Sequence, residues 1–328
     1  MNRREFILGT LAAGELFGCV GGAKVRAPRT SANTLGKIVG ALPEGRYDSH
    51  VHVRDGRPPE PEKFAASLSA AGLRGAILLS EDPDPLEGAI PDPEKAMDNV
   101  IGWCAASPTV YPFYWIEPTR RNALDLVDLA LEKGIYGFKV IPGRFYPGDE
   151  RAMPVYEKIA KAGKPILFHS GILWDGRNSS RYTRPGNWED LIDIAGLRFC
   201  LAHVSWPWCE ECVAVYGKFM NTCVISSTPK ADMFIDTTPG TPKRRREAVL
   251  EKVFGFDYDV TDRVMFGTDC WCDEYSLKWS KGWQERDAAI YDKLGPELVD
   301  KDSVFRLAMQ AFLFGGGRER KLPTQDGE

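Results

Sequence analysis

The 328-residue chain has no apolar run approaching the ~20 residues a helix needs to cross a bilayer, which excludes a helical membrane protein. Charge of one sign is also scarce, since 42 Lys and Arg against 46 Asp and Glu leave a net charge of -4. That balance offers no grip on a polyanion, so nucleic acid is not an expected partner. Eight cysteines are too dilute for a small disulfide scaffold. No Gly-x-Gly-x-x-Gly turn follows the first apolar run, which weighs against a doubly wound dinucleotide-binding sheet. Histidine is rarest among the informative residues, with 4 copies, His50, His52, His169 and His203. What is present is ordinary globular composition, 43% hydrophobic and 27% charged, in a chain long enough for one large core.

The N-terminus reads as an address. Asn2, Arg3, Arg4 and Glu5 precede a short apolar stretch from Phe6 to Gly14, the charged-then-apolar layout of a signal peptide. The paired arginines followed by Phe6 resemble the twin-arginine export motif, whose pathway carries folded proteins. Cys19, in Leu16-Phe17-Gly18-Cys19, loosely fits a lipoprotein box and is a candidate lipidation site and lipid anchor. A plain cleaved leader is the alternative, and an N-terminal helix of a cytosolic protein is a third. The expected organisation is a leader over 1–20, a linker over 21–43, a catalytic domain over 44–318 and a tail over 319–328. Localisation is then expected to be the bacterial periplasm or cell envelope.

From Arg46 onward, apolar runs alternate with helical patterns. The runs are Tyr47 to Val53, Gly75 to Ser80, Val110 to Ile116, Gly137 to Ile141, Pro165 to His169, Arg198 to His203, Thr222 to Ser226 and Val264 to Asp269. Between them lie helix-spaced stretches, several followed by Gly72, Gly134, Gly163 or Gly196, where a helix C-terminal cap favours glycine. Buried parallel strands read as nearly continuous apolar runs, and strand-helix units repeated in this way predict a (β/α)8 barrel with a single catalytic domain. The stretch from Asp269 to Gly282 reads as a long loop, with closing helices over Trp283 to Leu294 and Lys301 to Phe314.

The histidines fall at strand ends. His50 and His52 end the first run, His169 the fifth and His203 the sixth, while Asp269 ends the eighth. Residues two apart on a strand share a face, so His50 and His52 can meet one ion. Barrel enzymes keep their chemistry at the C-terminal rim, where these strand ends lie. A lone histidine would more often be a core residue satisfied by a backbone hydrogen bond, but here all of them sit at strand ends.

Asp48-Ser49-His50-Val51-His52, Gly137-Phe138-Lys139-Val140, Phe168-His169, Ala202-His203 and Gly267-Thr268-Asp269 together resemble the amidohydrolase superfamily over nearly the whole chain after Arg46. The segment from Gly137 to His169 is similar to the amidohydrolase-related group, which includes aminocarboxymuconate-semialdehyde decarboxylase, resorcylate-type decarboxylases and sugar lactonases. The resemblance implies that His50, His52, His169 and Asp269 ligate one divalent ion, with His203 acting on substrate or water and Asp269 serving as ligand and base together. A bound divalent ion lowers the pKa of its water to about 7, and a carboxylate or neutral imidazole can take the proton. Zinc is the first choice for an N/O ligand set, with manganese or iron as alternatives. The implied activity is hydrolysis of an ester, lactone or amide in a small organic substrate. Non-oxidative decarboxylation of an aromatic or unsaturated acid is the alternative, and an inactive binding barrel the third reading.

Lys139 stays open among a carboxylated metal bridge, an anchor for a substrate carboxylate and an ion-pair partner inside the barrel. The loops after the strands are rich in cations and tryptophan, among them Arg54, Arg144, Arg177, Arg181, Arg184, Lys230, Trp174, Trp206, Trp208 and Trp271. Arginine binds carboxylates with paired donors, so a carboxylate-bearing substrate held by Lys139 and Arg54 is one expectation. Stacking of a sugar lactone on tryptophans such as Trp206 is another. Cys209-x-x-Cys212 and Cys270-x-Cys272 leave a four-sulfur site, a disulfide and packed free thiols open. A closed homodimer is the default oligomer.

Overall fold

Parallel strands pair in chain order and are joined mostly by helices. The computed structural model describes residues 40–85 and 90–317, so the leader, Cys19, most of the linker and the tail lie outside the described residues. In order come β1 (Arg46–His52), α1 (Pro61–Ala70), β2 (Leu73–Leu79), α2 (Pro93–Cys104), β3 (Val110–Trp115), α3 (Ala123–Lys133), β4 (Gly137–Val140), α4 (Met153–Lys161) and β5 (Ile166–Phe168). Then follow β6 (Arg198–Leu201), α5 (Cys209–Ile225), β7 (Asp232–Asp236), α6 (Arg246–Phe254), β8 (Val264–Met265), β9 (Cys270–Trp271), α7 (Leu277–Leu294) and α8 (Ala308–Phe314). Only a 3-10 segment, Pro185–Leu191, separates β5 from β6, in place of the expected helix.

Each of β1 to β7 pairs with the next, and β9 pairs with β1. Between β8 and β9, the Ser49 N–H donates to the Phe266 carbonyl at 2.9 Å, so β8 and β9 are two halves of one interrupted eighth strand that closes the ring. The fold is a single-domain (β/α)8 barrel. Local chemistry agrees with it. Asp92 caps α2 through Lys95 N–H at 3.0 Å, and Gly72, Gly134, Gly163 and Gly196 all adopt the positive φ expected of helix caps.

Alternation along the strands divides the apolar residues into two cores. Ala76 and Leu78 face the helices, while Ile77 and Leu79 join Phe113, Leu167, Cys200, Phe234 and Met265 inside the barrel. Phe312 of α8 meets the rings of Phe113 and Phe234 at 6.2 and 5.2 Å, filling the N-terminal end of the barrel. Leu42, 3% exposed, packs in the same cluster. The opposite end is left to polar residues.

The seventh strand is not at Thr222 to Ser226. Those residues form the last turn and cap of α5, where Val224 and Ile225 are 39% and 73% exposed. Buried Cys212, Val213, Tyr216, Phe219 and Met220 fix α5 by helical spacing, and the helix runs on through the β-branched stretch. The strand that pairs with β6 and β8 is Asp232–Asp236. Likewise α7 begins at Leu277, six residues earlier than the 283 expected from the sequence, with Ser276 accepting from Trp279 N–H at its start. Cys104, Cys200, Cys209, Cys212, Cys270 and Cys272 are free thiols, and burial raises those of Cys209 and Cys270 to about 11 and those of Cys212 and Cys272 to about 12. Among the described residues, no disulfide and no sulfur ligand cluster forms.

Candidate active site

A register break in β1 sets the site. Tyr47 belongs to the barrel interior, yet Val51, four residues on, faces the helices. The irregularity between Asp48 and Val51 shifts the alternation, so that His50 and His52 both line the cavity at the strand ends. Asp48 braces this turn from below. Its carboxylate accepts from His50 N–H at 3.1 Å, Thr268 N–H at 2.9 Å, Thr268 Oγ1 at 2.5 Å and Tyr275 Oη at 2.7 Å. Burial nevertheless raises Asp48 to about 6. One carboxyl therefore ties β1 to the segment that presents Asp269.

His50 Nδ1 lies 2.8 Å from Asp236 Oδ2, and both side chains are buried. Burial works to raise Asp236, but the His50 and His203 imidazoles hold it below the ordinary carboxylate range. Its other oxygen accepts from Thr238 N–H at 2.7 Å and His203 N–H at 3.2 Å. Burial, assisted by the Lys139 charge, lowers His50 to about 3, which keeps it neutral. A neutral ring that donates Nδ1–H to a carboxylate has a bare lone pair on Nε2. Sequence reasoning missed Asp236 because it placed the seventh strand elsewhere. The available signal was an apolar run, Met233-Phe234-Ile235, ending in a carboxylate, as Met265-Phe266 leads to Asp269.

Three side chains converge at that lone pair. His50 Nε2 is 3.1 Å from His52 Nε2 and 3.6 Å from Asp269 Oδ1, and His52 Nε2 is 3.2 Å from Asp269 Oδ1. A tetrahedral ion with Zn–N and Zn–O bonds of about 2.0–2.1 Å separates its ligand atoms by about 3.3 Å. The observed spacings bracket that value, and nitrogen with carboxylate oxygen is a donor set for a divalent transition metal. His50, His52 and Asp269 form the metal-competent group found among the described residues. Burial tends to raise Asp269, yet His52 and the other imidazoles hold it well below the usual carboxylate range.

Close packing admits the group only because residue 267 is glycine. A Cβ there would lie 2.2 Å from Thr238 Oγ1 and 2.9 Å from His50 Cβ.

The remaining expected residues divide. His169, His203, Lys139 and Trp206 line the same cavity of about 190 Å³ as His50, His52 and Asp269. His169 Nε2 faces the Ile172 carbonyl at 3.3 Å, outside the close trio. His203 has φ 61 and is followed by Val204 and Ser205 at φ 47 and 53, three consecutive left-handed residues without glycine. Such strain persists where surrounding structure enforces it and clusters at functional sites. Its Nδ1 is buried without a partner. Burial lowers both His169 and His203, favouring neutral rings. Lys139 is fully buried with Nζ 3.4 Å from His50 Nε2, and burial lowers it to about 8 against the pull of Asp236 and Asp269.

Arg54 stands apart from the cavity lining. It pairs with Glu274 at 3.0 Å and Asp273 at 3.5 Å, and lies over Trp271. Other loop cations are similarly engaged, Arg144 with Asp84, Arg184 with Glu211 and Lys230 with Asp193. Lys139 alone among the cavity's lining residues is Lys or Arg.

A closed (β/α)8 barrel with histidines and an aspartate gathered at its C-terminal rim defines the class: a barrel with a metal-competent rim site. The family model described as Amidohydrolase matches residues 47–306, and the chain belongs to that family. No curated protein matches the chain. Among solved structures, an amidohydrolase from Burkholderia multivorans is similar at 12% identity and TM-score 0.54, covering 82% of this chain and 98% of its own. A Staphylococcus aureus protein described as an amidohydrolase matches at 13% identity and TM-score 0.54, covering 82% of this chain and 99% of its own. At these identities the likeness is one of fold.

Proposed function

We propose that the protein is a metal-dependent hydrolase of a small organic substrate carrying an ester, lactone or amide bond. The observation that carries the reading is the convergence of His50 Nε2, His52 Nε2 and Asp269 Oδ1, all within 4.8 Å of one another, at the rim. In this reading His50, His52 and Asp269 hold one divalent ion, zinc by first preference, with His169 as a further ligand from β5. The ion, when bound, supplies Lewis-acid polarisation of the scissile group and lowers the pKa of a water to about 7. Asp236 keeps His50 in the tautomer that offers Nε2. His203, with Nδ1 unpartnered and its ring 5.3 Å from His50, is placed to move a proton to or from the substrate. Lys139 holds a negatively charged or polarised oxygen of the substrate, and Trp206 covers it. Arg54 acts on the rim through Glu274 and Trp271, away from the reacting atoms.

One observation favours non-oxidative decarboxylation as a second reading. Lys139 is buried in the cavity wall, and among the described residues its Nζ has His50 Nε2 at 3.4 Å and no carboxylate in a direct ion pair, which suits a substrate that brings its own carboxylate. Product analysis separates the two, since a hydrolase releases a new acid and a decarboxylase releases CO2. Screening lactones, N-acyl compounds and aromatic acids with metal-loaded protein tests both. Loss of turnover on chelation supports either reading, and undiminished turnover by metal-free protein contradicts both. Export with a lipid anchor on Cys19 belongs to the same proposal as an envelope location, tested by fractionation of cells expressing the full chain and a Cys19→Ala variant.

A further inference from the structure

A second cavity, of about 550 Å³, opens beside the rim between the turn that starts at Lys243 and the first half of α7. It shares no lining residue with the histidine cavity. Its walls carry Lys243, Lys278, Lys281 and Arg286 with Trp279 and Trp283, and Glu285 is its one acidic residue. The loop cations around the histidine site are engaged with carboxylates, as Arg144 and Lys230 are, whereas none of these four has a carboxylate partner among the described residues. Four like charges around one hollow repel one another, and a bound anion relieves that repulsion. The tryptophans meet edge to face at 5.6 Å, and Trp279 is 39% exposed. Lys243 Nζ lies 5.4 Å from the Trp279 ring, and the Arg286 guanidinium 5.5 Å from the Trp283 ring. Trp283 is only 3% exposed, and its indole N–H has no acceptor. The volume falls in the usual small-ligand range of about 300–1,000 Å³.

We propose that this cavity is a binding site for a small organic anion with a flat aromatic body, held by stacking on Trp279 and by the ammonium groups of Lys243, Lys278 and Lys281. A concave site of this size favours a small molecule over an extended surface partner. It is independent of the metal site, although the Trp279 indole donates to the Thr268 carbonyl at 2.8 Å, one residue before Asp269.

The test is titration of the full chain with 2-naphthoate, read by tryptophan fluorescence and calorimetry, beside the neutral 2-naphthalenemethanol and inorganic phosphate. Expected is saturable binding of 2-naphthoate that is about tenfold weaker for the neutral analogue, a difference of about 1.4 kcal/mol. The double variant Lys278→Glu and Lys281→Glu loses about tenfold or more in affinity. Gly282→Leu removes binding, because a Cβ at Gly282 meets nothing within 4 Å, and replacing a mid-helix glycine leaves the melting temperature at or above the parent's. Lys139→Met separates the two cavities and leaves this binding unchanged. Equal affinity for the neutral analogue, equal affinity in the double variant or Gly282→Leu, or loss only in Lys139→Met overturns the proposal.

Discussion

His50 Nδ1 sits 2.8 Å from Asp236 Oδ2, so the first histidine of β1 is oriented by a carboxylate at the end of β7, two strands away around the barrel. The pair fixes which ring nitrogen is free. Asp236→Asn removes the negative acceptor while keeping the shape, and metal affinity is expected to fall by about 10–100-fold. Competition titration with a chromogenic chelator measures it. An affinity equal to the parent's would show that the pair does not orient His50.

His52 and His203 separate metal binding from chemistry. His52→Ala is expected to lose stoichiometric metal with its circular dichroism unchanged, because the residue is at the rim and outside both cores. His203→Ala is expected to retain metal and lose roughly 10²–10⁴-fold in kcat. Elemental analysis beside turnover checks both, and equal metal content in the two variants would defeat the division of roles.

Lys139→Met removes the cavity's one lysine or arginine at nearly constant volume. For a carboxylate-bearing substrate KM is expected to rise by about tenfold or more, with a smaller effect on a neutral one. If KM for both rises equally, Lys139 serves the fold and not the substrate.

Acid should weaken the metal-free protein before its carboxylates titrate. Burial lowers His50 from 6.5 to about 3, and His169 and His203 move the same way, so the folded state binds fewer protons than the unfolded chain below pH 6.5. Stability from these neutral rings is fully present above 6.5 and is lost as pH falls toward 3, at roughly 1.4 kcal/mol per pH unit for each group. Asp48, raised from 3.8 to about 6, acts with the opposite sign between those values, but it is one group against three. Urea midpoints of chelator-treated protein are expected to drop between pH 7 and pH 5. A flat or rising midpoint contradicts the burial of neutral imidazoles.

The barrel was legible because each strand is a short apolar run and each run that carries chemistry stops at a polar residue. His50, His52, His169, His203 and Asp269 were found that way, and the structure brings all five to one cavity. Strand 7 was not legible. Thr222 to Ser226 has strand propensity, but α5 is held by its buried face upstream and carries these residues along as an exposed last turn. With strand 7 misplaced, Asp236 stayed hidden. Arg54 shows a second limit, since proximity to His52 in sequence does not reveal that Asp273 and Glu274 already hold its guanidinium. Pairing between strands far apart in the chain is a tertiary fact, and composition cannot rank one acid over another.

Anomalous diffraction from crystals soaked in zinc, recorded on both sides of the absorption edge, addresses the metal site directly. The expected result is one peak within about 2.0–2.2 Å of His50 Nε2, His52 Nε2 and an Asp269 oxygen. A fully occupied peak elsewhere with no density between these three side chains would contradict it.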